Sequence, residues 1–179
     1  EMTDKAVSDA AGIAAAASRA SGKGPPPVHL WNPPFCGDLD MEIRADGTWF
    51  YNGTPIGRPA MVRLFASILK REGDAYFLVT PVEKVGIRVV DAPFVAVDAD
   101  IAAEIAFTTN VGDRVTAGPD HAIELRGTPD EPRPYVHIRR GLWALIDRKT
   151  FYRLADAAMP GPDGRMVVHS DGAVFPLEP

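Results

Sequence analysis

The chain has 179 residues, 46% of them hydrophobic and 24% charged, with 19 Lys+Arg against 24 Asp+Glu and a formal charge of −5. This balance suits a soluble globular protein of one ordinary domain or two small lobes sharing a core. It excludes a wholly disordered chain, and it lacks the net basic face needed to wrap nucleic acid or dock on an anionic membrane.

No apolar run is long enough to span a membrane. The single cysteine, Cys36, forms no internal disulfide, and His29, His121, His137 and His169 are too scattered for a compact zinc site. A reduced, cytoplasmic protein is the expectation. With 17 prolines and 16 glycines the elements should be short and the turns many.

In chain order, Ala10–Ala20 reads as a marginal Ala-rich helix that docks weakly or not at all. It lacks the basic flank of a signal peptide. Ser21 to Pro27 is a Gly- and Pro-rich linker, so residues 1–27 form an N-terminal tail and the folded part begins near Val28. Asp46-Gly47 between alternating segments predicts a hairpin of Leu39–Arg44 with Thr48–Tyr51. Pro59 suits a helix start, and Met61, Val62, Phe65, Ile68 and Leu69 make one stripe of a helix over Pro59–Glu72, with Gly73 as its C-cap. Tyr76–Thr80 and Val85–Val90 follow as strands.

Phe94 to Arg126 should supply two or three antiparallel strands, with a helical turn near Ile101–Ile105. Thr128 to Pro134 reads as a stiff exposed connection. The Ile-Arg…Gly-x-Trp pattern of Ile43 to Trp49 then returns at Ile138 to Trp143. Asp147 caps a second helix, and Asp171-Gly172 joins two last strands. The predicted fold class is α+β: two related strand-strand-helix-strand-strand repeats with antiparallel sheets, as lobes over residues 28–97 and 134–179, joined by a β-rich middle segment, 98–133.

Four strings in fixed order carry a resemblance: Trp31 to Asp40 (WNPPFCGDLD), Asp46 to Ile56 (DGTWFYNGTPI), Arg63 to Leu69 (RLFASIL) and Leu78 to Val85 (LVTPVEKV). They resemble the uncharacterised bacterial family catalogued as domain of unknown function twelve eighty-five, from about Trp31 to the C-terminus and more weakly in the second half. The resemblance implies an α+β protein with repeated structural motifs and a suggested place in signal transduction. It brings no assigned reaction and no catalytic residues.

The candidate site therefore rests on residues that neither turn chemistry nor core patterning explains: Tyr51, Arg58, Arg63, Thr80, Glu83 and Lys84. With Arg63 on the helix facing the Glu83-Lys84 turn, Arg63, Arg58 and Lys84 would hold a small anion or an acidic tail. The structural alternative is an Arg63–Glu83 ion pair tying helix to turn. Trp49 and Trp143 read as equivalent core residues, and Trp31 as a lid on the sheet. Cys36 reads as a buried inert thiol rather than a nucleophile, and His137 as surface. Asp38, Asp40 and Glu42, like Asp98 and Asp100, read as solvated acidic faces rather than cation sites. No phosphate-binding glycine loop, Gly-x-Ser-x-Gly or His-Glu-x-x-His occurs, and no cofactor or metal is implied.

The expected function is a non-enzymatic binding or regulatory module that presents an inter-repeat cleft to a small anionic ligand or a protein partner. The alternatives are a hydrolase-like enzyme with Glu83 as general base and Arg63 as anion clamp, and a structural adaptor that offers sheet edges as docking strands.

Overall fold

Leu39, Met41 and Ile43 are buried and alternate with Asp38, Asp40 and Glu42, which sorts the first sheet into an inner and an outer face. The computed structural model describes residues 9–20, 22 and 24–179. The expected tail and linker fall partly on residues 1–8, 21 and 23, which lie outside these. The chain divides into two units between Asp91 and Ala92.

The first unit runs α1 (Ala10–Ala20), β1 (Phe35–Ile43), β2 (Trp49–Tyr51), β3 (Thr54–Pro55), α2 (Pro59–Ser67), β4 (Leu69–Glu72), β5 (Ala75–Val79) and β6 (Lys84–Val89). Its sheet has the order β3-β2-β1-β6-β5-β4, antiparallel except for the central parallel pair of β1 and β6. On the inner face Trp49 lies opposite Ile43 and stacks on Phe65 of α2, with ring centroids 6.2 Å apart. The Ala-rich helix is a correction to the expectation. It packs on α2 and buries Ile13 and Ala17 completely, with Ala14 and Ala16 beside them, because alanines let the two helices approach closely.

The second unit runs β7 (Phe94–Ile101), β8 (Ile105–Thr109), β9 (Arg114–Thr116), β10 (Ile123–Gly127), β11 (Pro132–Arg139), β12 (Leu142–Ile146), α3 (Arg148–Ala157), β13 (Met159–Pro160), β14 (Met166–Ser170) and β15 (Ala173–Pro176). Its main sheet has the order β10-β11-β12-β7-β8-β9, and β12 with β7 is again the central parallel pair. Helix α3 lies along β7, and the three-stranded sheet β13-β14-β15 reaches β10, so these elements close the second core. A buried bond from the Ile105 N–H to Ser170 Oγ (2.8 Å) ties the small sheet to the large one.

The class is α+β with two related units, but their frame of equivalence differs from the expected one. Each sheet is a three-strand meander running outward from the centre and a second meander running back in. That topology equates β1–β6 with β7–β12, whereas the repeated Ile-Arg…Gly-x-Trp string equates β1-β2 with β11-β12. The β-rich middle segment is thus most of the second sheet rather than a joint between lobes.

The two tryptophans separate for the same reason. Ile43 faces Trp49, but a bulge between His137 and Arg139 sets His137 rather than Ile138 opposite Trp143. A slip of one residue turns a side chain to the other face. Trp143 is accordingly half-buried on the outer face.

Three local expectations also shift. The helix predicted over Pro59–Glu72 stops at Ser67, because residues 69–72 pair in register with Ala75 to Leu78, and Gly73, at φ 62°, opens that hairpin instead of capping a helix. Ile101 and Ile105 face each other across a hairpin and form no helical turn. Pro132 and Pro134 belong to β11, paired with β10 beyond the last β12 partner at Tyr135, where their missing N–H groups leave no ladder position unfilled.

Candidate functional site

The structure distributes the six predicted site residues over both faces of the first sheet. Arg58 stands at the N-cap of α2 with no side-chain cap bond, and Arg63 lies one turn on. Both are exposed. The Tyr51 hydroxyl accepts a hydrogen bond from the Ala10 N–H of α1 (3.4 Å). Thr80 is fully buried, and its Oγ1 accepts from the N–H groups of Val82 (3.3 Å) and Glu83 (3.1 Å), which fixes the turn into β6. Glu83 is half-exposed, and no ion pair joins it to Arg63.

Lys84 points to the outer face, away from α2. Its Nζ bonds Glu72 Oε1 at 3.0 Å and sits 4.6 Å from the centre of the Phe77 ring. That bond holds the Glu72 carboxyl below its ordinary value of 4.5, with Lys70 adding to the effect. Arg63 and Lys84 therefore do not converge on one anion.

The other flagged residues resolve as follows. Cys36 is half-exposed rather than buried, in the irregular stretch of β1 between Phe35 and Asp38, and its Sγ–H donates to Pro34 O (3.3 Å). The Trp31 carbonyl accepts from Lys70 Nζ (3.1 Å), which ties the entry segment to β4. Asp40 is paired with Arg88 (2.7 Å), Asp98 with Arg153 (2.8 Å) and Asp100 with Arg114 (2.5 Å), so these acidic faces are crossed by arginines. At the start of α3, burial would raise the Asp147 carboxyl, but hydrogen bonds from Lys149 and from the Thr150 N–H outweigh it and hold the group below its ordinary 3.8.

A denser constellation lies on the outer face of the second sheet. By alternation, Glu124 and Arg126 of β10, Arg133, Tyr135 and His137 of β11, and Trp143 of β12 share that face. Arg126 and Arg133 are direct cross-strand partners, an arrangement that repels unless something offsets it. The Arg126 guanidinium reaches across the sheet to lie 4.4 Å from the Tyr135 ring centre and 4.6 Å from that of Trp143, with its Nε bonded to Glu124 (3.0 Å). Arg133 Nε donates to the Tyr135 hydroxyl (3.0 Å).

Behind them His137 is fixed in one tautomer. Its Nδ1–H donates to Asp120 O (3.0 Å) and its Nε2 accepts from the Gly141 N–H (3.0 Å), while its ring meets Trp143 edge-on at 5.0 Å. His121 Nδ1–H donates to His137 O (3.0 Å). His137 thus lies half-exposed on the outer face, as expected, and is in addition a framework residue. Sequence reasoning missed this cluster by treating 128–134 as a connection. The alternation Arg133, Tyr135, His137 was the available signal.

Residues 26–92 match the family model described as "Domain of unknown function (DUF1285), N-terminal domain", and residues 93–177 match "Protein of unknown function (DUF1285), C-terminal domain". No curated protein matches the chain. Among solved structures it is similar to a DUF1285 family protein from Silicibacter pomeroyi DSS-3, at 59% identity and TM-score 0.86, covering 93% of this chain and 94% of that one. It is also similar to one from Shewanella baltica OS155, at 34% identity and TM-score 0.54, covering 66% of this chain and 91% of that one. The two family models meet within one residue of the division between the two units, and the chain belongs to the DUF1285 family.

Proposed function

We propose that the protein is a non-catalytic binding or regulatory module, serving bacterial signal transduction as the family resemblance implies, and that its second unit holds a small anion at Arg126 and Arg133. The observation that carries this reading is the cross-strand pair of Arg126 and Arg133, the first laid over two aromatic rings with its Nε on Glu124 and the second bonded to a tyrosine hydroxyl. Such fixed, planar forks of donors suit carboxylate or phosphate oxygens.

The alternatives lack comparable support. A general base at Glu83 would need burial that a half-exposed turn does not provide. A docking strand would need a long bare edge. The edges of the second sheet are the three-residue β9 and the five-residue β10, which carry Arg114, Glu124 and Arg126.

The test is thermal unfolding of the full chain in sodium phosphate against sodium chloride at matched ionic strength. Phosphate should raise the midpoint by a few degrees, in keeping with about 2.7 kcal/mol of stabilisation at 100 times the dissociation constant. Arg126→Met should abolish the rise while leaving the chloride midpoint within about 1 kcal/mol of wild type. An undiminished rise in that variant would refute the assignment.

A further inference from the structure

Strand β1 departs from regular pairing with β6 twice, between Phe35 and Asp38 and between Asp38 and Glu42, and Gly37 within this stretch has φ 100°. Irregularities of this kind re-aim side chains. Here they set the Asp38 carboxylate against Gly86, so closely that a Cβ on Gly86 would lie 2.1 Å from Asp38 Oδ1. Beside it Phe35, 55% exposed, meets Phe77 edge-to-face with ring centroids 6.0 Å apart. With Asp74 and Arg88 these residues border a groove of about 470 Å³ on the first unit, a size suited to a small molecule.

The charges around the groove are unequally committed. Arg88 is bound by Asp40 at 2.7 Å and approached by Glu42 at 4.0 Å, and Asp74 is paired with Arg71 at 3.5 Å. Asp38 makes no ion pair within 4.0 Å among the described residues, and its charge acts on Arg88 only from farther off. The same face already seats one ammonium on an aromatic ring, that of Lys84 over Phe77.

We infer that this groove is a binding site for a small alkylamine in its ammonium form. Asp38 pairs with the charge, and the exposed Phe35 ring, backed edge-to-face by Phe77, covers the alkyl chain and adds cation–π attraction. The site is separate from the anion site proposed for the second unit and takes ligands of the opposite charge.

An amide-resolved NMR titration of the full chain with n-butylammonium chloride tests it, with potassium chloride and n-butanol as controls. The expected result is a saturable shift centred on Gly86 and its strand neighbours, absent with potassium chloride and at least fivefold weaker with butanol. Asp38→Asn, at an exposed position, should weaken butylammonium binding at least fivefold while preserving the spectrum elsewhere. Gly86→Ala should do the same by displacing the carboxylate, and the Gly86 backbone lies outside the left-handed region, so alanine adds no backbone strain there. The inference is overturned by the absence of a saturable shift at Gly86, by unchanged affinity in Asp38→Asn, or by butanol binding as tightly as the amine.

Discussion

The two units build the same six-strand sheet and close it with different material. In the first, α2 is inserted between the two meanders and α1 is added from the N-terminal side. In the second, β9 runs on to β10 without a helix, and α3 and the small sheet follow after the last strand. The outer faces differ as well. On the first, lysines and arginines cross to carboxylates in the Lys70–Glu72–Lys84 and Asp40–Arg88–Glu42 groups. On the second, Arg126, paired with Glu124, lies over the rings of Tyr135 and Trp143, with Arg133 as its cross-strand partner. The conserved element of the design is therefore the meander pair, while its cover and its surface chemistry vary independently.

The sharpest way to break this comparison is to truncate the two tryptophans. Trp49→Ala removes a fully buried ring from between sheet and helix and should cost about 3–5 kcal/mol. Trp143→Ala removes a half-buried one and should cost roughly 1–2 kcal/mol, the scale of partial burial and a lost ring contact. Denaturant midpoints measure both, and equal costs would restore the equivalence that the repeated string suggests.

Removing residues 1–20 tests whether the added helix is part of the first core. Exposing the surface that Ile13 and its neighbouring alanines cover should cost about 2–4 kcal/mol and lower the melting temperature by several degrees. A midpoint unchanged by the truncation would make α1 an appendage.

The smallest effect concerns Glu72. Its carboxyl is held below the ordinary value of 4.5, so the stability it contributes is complete above that pH and fades as the pH falls through the lower folded-state value. Lys84 and Glu72 are partly exposed, which limits the contribution to about 0–1 kcal/mol. Glu72→Gln should therefore flatten the acid limb of a stability–pH curve slightly below pH 4.5 and leave the neutral region little changed.

Much of this was legible where the signal is local. Leu39, Met41 and Ile43 alternate, Asp46-Gly47 turns a hairpin, and Asp147 caps α3 by accepting from the Thr150 N–H, each because the determining contacts lie within a few residues. Strand β4 was not legible, since Ile68 and Leu69 continue the helical stripe and only the distant partner β5 draws them into a sheet. The face of Trp143 turned on a single bulge, which composition does not mark. The predicted site fared likewise. Arg63 and Lys84 are close in any linear reading of helix and turn, yet the sheet stands between them. Arg126 becomes conspicuous only when its side chain is seen crossing to Tyr135 and Trp143.

The central parallel pair has a consequence for how the chain acquires its structure. In each six-stranded sheet the pair joins the first strand to the last, β1 to β6 and β7 to β12, so the contacts at the middle of each sheet are also those of longest sequence separation within it. The hairpins on either flank form early and locally, but neither sheet closes until its final strand has left the ribosome. The first sheet can complete once Val89 has emerged, while the second is still being synthesised. Slow, nonlocal closure is thus confined to segments of about fifty residues, and two successive closures replace one across the whole chain.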